Sequence, residues 1–222
     1  MSYLPTESEK QHLRSVSDLL IKRVRESLKE VHIKAQVMLA GATAKDTFVR
    51  GDTDIDIFIV SPQHIDAYKS FQKQFPLGYR KEGPTDIWHF LFNSLDVDLV
   101  FIPPDHPRTD TLIHTEFMNR NLTPKQKEEV IRAKAFFKSK GVYGAEIGGI
   151  VGIAVEELIR RHNTLKEVCR ILSEADATPF IEDPAKPTRT LLASLKPIRW
   201  KQLQNACRQY LLTTHFIYKP YD

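Results

Sequence analysis

Cysteine is nearly absent. The 222 residues hold only Cys169 and Cys207, 38 positions apart and in no CxxC pattern. That excludes the usual zinc spacings and a disulfide framework, and it makes a reducing compartment the expected home. No apolar run approaches the roughly 20 residues that a membrane helix needs. The opening residues, Met-Ser-Tyr-Leu-Pro-Thr-Glu, lack the basic and apolar stretches of a secretory leader. The expectation is a cytoplasmic protein with no membrane contact. Glycine is sparse, at 9 residues, and no repeat or low-complexity tract occurs. Charge of one sign is also scarce in excess: 32 Lys and Arg against 28 Asp and Glu leave +4. Such a balance permits contact with a polyanion without requiring it.

What is present suffices for a packed core, with 41% hydrophobic and 27% charged residues. Thr6-Glu-Ser-Glu9 has capping-box spacing, and Leu13, Val16, Leu20, Val24, Leu28 and Val31 recur every three or four residues. The spacing predicts an amphipathic helix over about 7–31. A short strand over 33–40 leads to Gly41, a loop follows over 41–53, and a strand over 54–60 ends at Ser61-Pro62. Residues 64–75 read as helical. Ile87–Phe92 and Leu95–Phe101 flank Asn93-Ser94 as a hairpin with a two-residue turn. After about residue 109 the pattern turns helical. Thr123-Pro-Lys-Gln126 caps a helix ending near Gly141. Further helices are expected over 149–162, 164–173 and 197–212. Phe180–Pro184 reads as a strand and stop, and Phe216-Ile-Tyr218 as a last short strand.

The chemistry concentrates in Gly41-Ala-Thr-Ala-Lys-Asp-Thr-Phe-Val-Arg-Gly-Asp-Thr-Asp-Ile-Asp-Ile-Phe58. Period-two geometry puts Asp54 and Asp56 on one strand face and Ile55 and Ile57 on the other. Two adjacent carboxylates repel unless a cation lies between them, and a hard divalent ion is the natural partner. Alternating Asp on a solvated strand explains the pair more cheaply. Two further features weigh against that bland reading. The small-residue loop upstream carries Thr43, Lys45, Thr47 and Arg50, groups suited to phosphates. A later strand carries Asp96 and Asp98, so a third carboxylate can join the first two. Asp98 is favoured because it directly precedes the apolar run Leu99–Ile102, as Asp56 directly precedes Ile57–Val60. Three carboxylates holding two magnesium ions suit phosphoryl transfer.

A Gly-small pair, then Asp-x-Asp, then a third Asp on a later strand resembles the DNA polymerase β-type nucleotidyltransferase superfamily. Arg50-Gly-Asp-Thr-Asp-Ile-Asp-Ile-Phe58 is closer still to the archaeal, class I CCA-adding enzymes, the tRNA nucleotidyltransferases. Lys138-Ser-Lys-Gly-Val-Tyr-Gly-Ala-Glu146, Glu156-Glu-Leu-Ile159 and Phe180-Ile-Glu-Asp-Pro-Ala-Lys-Pro-Thr-Arg189 are similar to later segments of that family, in the same order. The likeness runs from about 37 to 212. It implies an α+β fold: a polymerase β-like catalytic head with a mixed sheet over 1–108, then a mostly helical nucleotide- and RNA-binding region over 109–222. It implies Asp54, Asp56 and Asp98 as catalytic metal ligands for two Mg2+ ions. It implies Gly41, Ala42, Thr43 and Lys45 near the triphosphate, a Thr111-x-x-His114 pair near the nucleotide, Lys134 and Tyr143 on the triphosphate, and Arg189 on the incoming base. Taken alone, Lys134 and Tyr143 need not meet, His114 suits a surface or core position, and Arg189 suits a solvated loop.

The resemblance further implies CTP and ATP as substrates and the 3′ end of tRNA or a tRNA-like RNA as acceptor. Two alternatives stand beside it: a primer-independent oligoadenylate-type synthase and a catalytically weakened RNA-end-binding paralogue. The chain departs from the family at several points. Ala42 replaces a serine whose hydroxyl helps bind triphosphate. Asp46 adds a negative charge near the phosphates. The segment after Glu146 lacks the family's basic residues, and 174–180 is too short for its extra β-hairpin. Family members continue into a tail domain that grips the tRNA elbow, which these 222 residues do not include, so the expectation is a shorter RNA or a homodimer that supplies the missing contacts.

Overall fold

The computed structural model describes residues 3–216 except 64–70, 73, 82 and 84. The helix expected over 64–75 and the terminal strand over 216–218 fall largely outside the described residues. The chain divides into two compact units, Leu4–Glu116 and a second that begins at Phe117.

In the first unit, α1 spans Glu7–Glu30. The capping box forms as the sequence predicts. Thr6 Oγ1 accepts from the Glu9 amide at 3.2 Å, and Glu9 Oε2 accepts from the Thr6 amide at 2.7 Å. Leu13, Val16, Leu20, Val24 and Leu28 are buried, all on one helical stripe. They form one core with the sheet residues Ile55, Ile57, Ile59, Trp88, Phe90, Val97 and Leu99. Each such side chain contributes about 1.5–3 kcal/mol on burial.

The sheet has five strands: β1 Gln36–Ala40, β2 Asp54–Val60, β3 Tyr79–Lys81, β4 Asp86–Phe92 and β5 Leu95–Ile102. Their order is β1-β2-β5-β4-β3. β2 and β5 run parallel, and the other neighbours run antiparallel. The β4–β5 hairpin turns at Asn93 and Ser94, whose φ values of 51° and 63° are those of a type I′ turn. No glycine is needed there, because Asn tolerates the left-handed region and Ser accepts its cost.

Register decides where the carboxylates go. On β2 the odd residues Ile55, Ile57 and Ile59 enter the α1 core. Phe58 on the opposite face joins a smaller cluster with Ala40, Ile87, Val100 and Ile102. That second face is therefore apolar at one end of the two strands and acidic at the other. Between β1 and β2, residues expected as an open loop instead begin with a short helix, α2, Gly41–Lys45. It ends at Asp46, in the left-handed region at φ 54°.

α3, Asp110–Asn121, carries the chain across the division between the units. In the second unit, α4 Pro124–Ser139, α5 Gly152–His162, α6 Leu165–Glu174 and α7 Pro197–Phe216 surround a core that includes Val130, Phe137, Ile150, Val155, Ile159, Val168 and Leu203. The Thr123 capping box forms, and the capping Gln126 also donates to Arg160 O at 3.2 Å and Asn163 Oδ1 at 3.0 Å. That fastens the start of α4 to the end of α5. The strand expected over 180–184 is only β6, Glu182–Asp183, because the chain turns back and pairs it with β7, Lys186–Thr190. Cys169 and Cys207 are free and buried within the helical core.

Candidate active site

The parallel pairing of β2 with β5 sets Asp56 opposite Asp98 and Asp54 opposite Asp96. Asp98 is much the less exposed of the later pair, at 17% against 60% for Asp96. Burial pushes the Asp56 carboxyl up to about 7 from its ordinary 3.8, and the charges of Asp54 and then Asp98 push the same way. Lys81 and Arg108 pull it back. A carboxyl raised mainly by burial, with like charges beside it, is a group arranged for a cation or a proton.

The loop half of the predicted stretch supports the strand half. Gly41 has φ +73°, and a Cβ built there would lie 2.3 Å from Asp56 Oδ2. Thr43 is buried, and its hydroxyl donates to Asp54 O at 2.5 Å, tying α2 to the start of β2. Ala42 packs partly against the main core, and Lys45 is buried. Asp46 does not stand as a bare negative charge. Arg14 Nη2 from α1 meets it at 2.6 Å. Arg50 is held by Glu9 at 2.7 Å. Two ion pairs thus fasten α1 to the segment that precedes Asp54.

Gly41→Ala is expected to lower any metal-dependent turnover by roughly 10²-fold, because the methyl group displaces the Asp56 carboxylate. The positive φ adds a stability loss of about 1–3 kcal/mol. Turnover measured beside urea unfolding separates the two effects. Unchanged turnover would show that Asp56 need not keep this position.

Two residues that sequence reasoning did not single out touch the third carboxylate. Lys81 Nζ lies 2.6 Å from Asp98 Oδ2, and His89 Nδ1 lies 2.8 Å from Asp98 Oδ1. His89 Nε2 faces Asp96 Oδ1 at 3.3 Å. Lys81 comes from the edge strand β3 and His89 from its interior neighbour β4, whose register with β5 sets His89 opposite Asp98. The available signal was His89 itself, whose alternation on β4 matches that of Asp96 and Asp98 across the turn. Lys81, Asp54, Asp98 and Arg50 all line a cavity of about 800 Å3.

Thr111 and His114 are half-buried and one turn apart on α3. In the second unit Lys134 and Tyr143 both approach Gly152. A Cβ built at Gly152 would lie 2.9 Å from Tyr143 Oη and 3.8 Å from Lys134 Nζ. Lys134 is buried and pairs with the buried Glu156 at 2.7 Å. Arg189 Nε donates to the buried Asp183 at 2.8 Å, so it is a held residue rather than a solvated loop arginine.

The acidic face fits divalent ions by its chemistry: three carboxylates, one of them already raised to about 7, with the His89 imidazole beside Asp98. As they stand the side chains do not converge. Among the described residues, no three His, Cys, Asp or Glu form a group placed to hold an ion. No described helix is long and apolar enough to cross a membrane.

Comparison with known proteins gives the family and the fold. A family profile described as Nucleotidyltransferase domain matches residues 21–140. A CCA-adding enzyme of Thermoplasma acidophilum is 30% identical over 212 residues, covering 88% of this chain and 95% of that sequence. The CCA-adding enzyme of Thermoplasma volcanium is 28% identical, covering 94% of this chain and 54% of its own length. The chain spans about half the length of several such relatives. Among solved structures, the Cid1 poly(U) polymerase superposes with a TM-score of 0.76 at 10% identity, covering 98% of this chain and 91% of its own. Escherichia coli CdnC with ATP gives 0.73 at 15%, covering 99% and 89%. These two likenesses show a shared polymerase β-like fold. By its profile match and its relatives, the chain belongs to the nucleotidyltransferases, in the family of the archaeal CCA-adding enzymes.

Proposed function

We propose that this protein is a magnesium-dependent, template-independent RNA nucleotidyltransferase that adds CMP or AMP to the 3′ end of tRNA or a tRNA-like RNA. The observation that carries the reading is the acidic face of β2 and β5, where Asp56 lies between Asp54 and Asp98 and is raised to about 7. Asp54, Asp56 and Asp98 would hold two Mg2+ ions, which supply charge neutralisation at the α-phosphate and a lowered pKa for the attacking 3′-hydroxyl. The chain's own residues do the positioning. Gly41 leaves room for Asp56, and Thr43 fixes the α2–β2 junction. Lys45, Thr111, His114, Lys134, Tyr143 and Arg189 would serve CTP or ATP in the roles that the family resemblance implies. Residues 1–108 would form the catalytic head and 109–222 the region that engages nucleotide and RNA.

The missing Ala42 hydroxyl removes one hydrogen bond to phosphate, a loss of roughly 1.5–3 kcal/mol. The pairing of Asp46 with Arg14 removes most of the other objection to catalysis. The test is incubation with Mg2+, labelled CTP or ATP, and tRNA ending before, within or after CCA. Incorporation dependent on tRNA is expected. No incorporation under conditions where a Thermoplasma CCA-adding enzyme works would sink the proposal, and product without added RNA would make the protein a primer-independent synthase.

A further inference from the structure

Both oxygens of the third carboxylate are already engaged. Asp98 Oδ2 takes the Lys81 ammonium at 2.6 Å, and Oδ1 takes His89 Nδ1 at 2.8 Å. Lys81 comes from β3, a strand of three residues at the sheet edge, and its side chain is about a third exposed. Its charge also acts on Asp56, opposing the repulsion from Asp54 and Asp98. It is a positive charge that touches one of the three carboxylates and acts on a second. A divalent ion brought to the same carboxylates would lie beside the ammonium and repel it. A long, flexible stem on an edge strand lets the ammonium leave. The place it leaves into is the cavity of about 800 Å3 that Lys81 lines with Asp54, Asp98 and Arg50. Gly41, Thr43 and Lys45 do not line it. The later loop residues Phe48, Arg50, Gly51, Asp52 and Thr53 do line it, so a strand phosphate held there would sit beside Asp98 without touching Gly41, Thr43 or Lys45.

We propose that Lys81 is a place-holding cation: it neutralises Asp98 in the metal-free protein, a divalent ion displaces it, and the freed ammonium then binds a phosphate of the acceptor RNA strand. The inference rests on the reading of Asp54, Asp56 and Asp98 as metal ligands and of RNA as acceptor. It makes metal and RNA binding mutually reinforcing, since each favours the displaced lysine. A lysine that merely supports the sheet would weaken metal binding when removed, whereas a competing lysine must tighten it.

The experiment uses the full chain with Lys81→Gln and Lys81→Arg. Mn2+ is titrated into protein alone, followed by electron paramagnetic resonance. Lys81→Gln should bind Mn2+ more tightly than the natural chain, by roughly 5–150-fold, the usual span of such a coupling. Lys81→Arg, which keeps the charge, should stay within about threefold of the natural chain, and it serves as the test if the glutamine variant does not fold. Binding of a labelled RNA with a 3′-deoxy end is then followed by anisotropy in EDTA and in Ca2+. The natural chain should bind RNA more tightly in Ca2+, and Lys81→Gln should lose that increment with its nucleotide KM unchanged. Mn2+ affinity equal or weaker in Lys81→Gln would overturn the proposal, as would a preserved Ca2+ increment or a shift in nucleotide KM alone. Asp56→Asn tests the underlying site: Mn2+ affinity unchanged in that variant would overturn the metal reading itself, whereas failure of the Lys81 arm alone would leave that reading intact.

Discussion

Asp56→Asn is expected to abolish nucleotide incorporation and, in the absence of metal, to stabilise the protein at neutral and alkaline pH. The two effects have one cause. Asp56 is the carboxyl raised to about 7, first by burial and then by Asp54 and Asp98. An amide there cannot serve as a charged metal ligand, and a loss of several kcal/mol of transition-state stabilisation is roughly 10³-fold or more in rate. In the metal-free fold the ionised form of Asp56 is the strained one. The raised pKa means that its contribution to stability is complete below about 3.8 and disappears as pH rises through about 7. Each unit of that interval is worth about 1.4 kcal/mol, so the natural chain in EDTA loses on the order of 4 kcal/mol from this group by pH 8. Asparagine carries no charge and escapes the loss. Urea unfolding at pH 5, 7 and 8.5, with EDTA or Mg2+, reads it as a difference between the two chains. The natural chain should recover in Mg2+, and the variant should respond to neither pH nor metal through this position. A variant that loses as much stability as the natural chain between pH 5 and 8.5 would show that Asp56 is not the strained group. Proton and metal also compete for one carboxylate, so the Mg2+ needed for half-maximal activity should rise about tenfold for each pH unit below 7.

Much of this centre was legible in sequence because it obeys local rules. Asp54 and Asp56 alternate with buried isoleucines, and alternation alone fixes their shared face. The Thr6 and Thr123 boxes announced α1 and α4 by spacing. The order of the sheet was not legible. That Asp56 faces Asp98 and not Asp96 is a matter of parallel register between strands 42 residues apart. Lys81 and His89 were missed for the same reason: they reach Asp98 only across β3, β4 and β5. α3 also escaped, because its apolar residues form no single stripe; Met118 is buried while Ile113 is exposed. The Asp46 charge looked like a defect near phosphate because Arg14, its partner, lies 32 positions earlier on another element. Sequence spacing finds residues that share an element, and it is silent on charges that meet across elements.

The largest stability effect is expected at Lys134. Its ammonium meets Glu156 at 2.7 Å, with the two side chains 4% and 0% exposed. Lys134→Met leaves a carboxylate in the core without this cation, a loss of about 3–5 kcal/mol. Combining it with Glu156→Leu removes both charges, and most of that stability should return, because well-packed apolar side chains replace a buried pair at little cost. The double variant then separates fold from function. The proposed role sets the Lys134 ammonium on the nucleotide triphosphate, with the Tyr143 hydroxyl also close to Gly152. One charge-assisted hydrogen bond is worth roughly 1.5–3 kcal/mol, so the refolded double variant should show a nucleotide KM raised at least tenfold. Urea unfolding and steady-state kinetics on both variants check this together. A double variant with restored stability and an unchanged KM would make Lys134 a structural ion-pair partner and remove it from the nucleotide site.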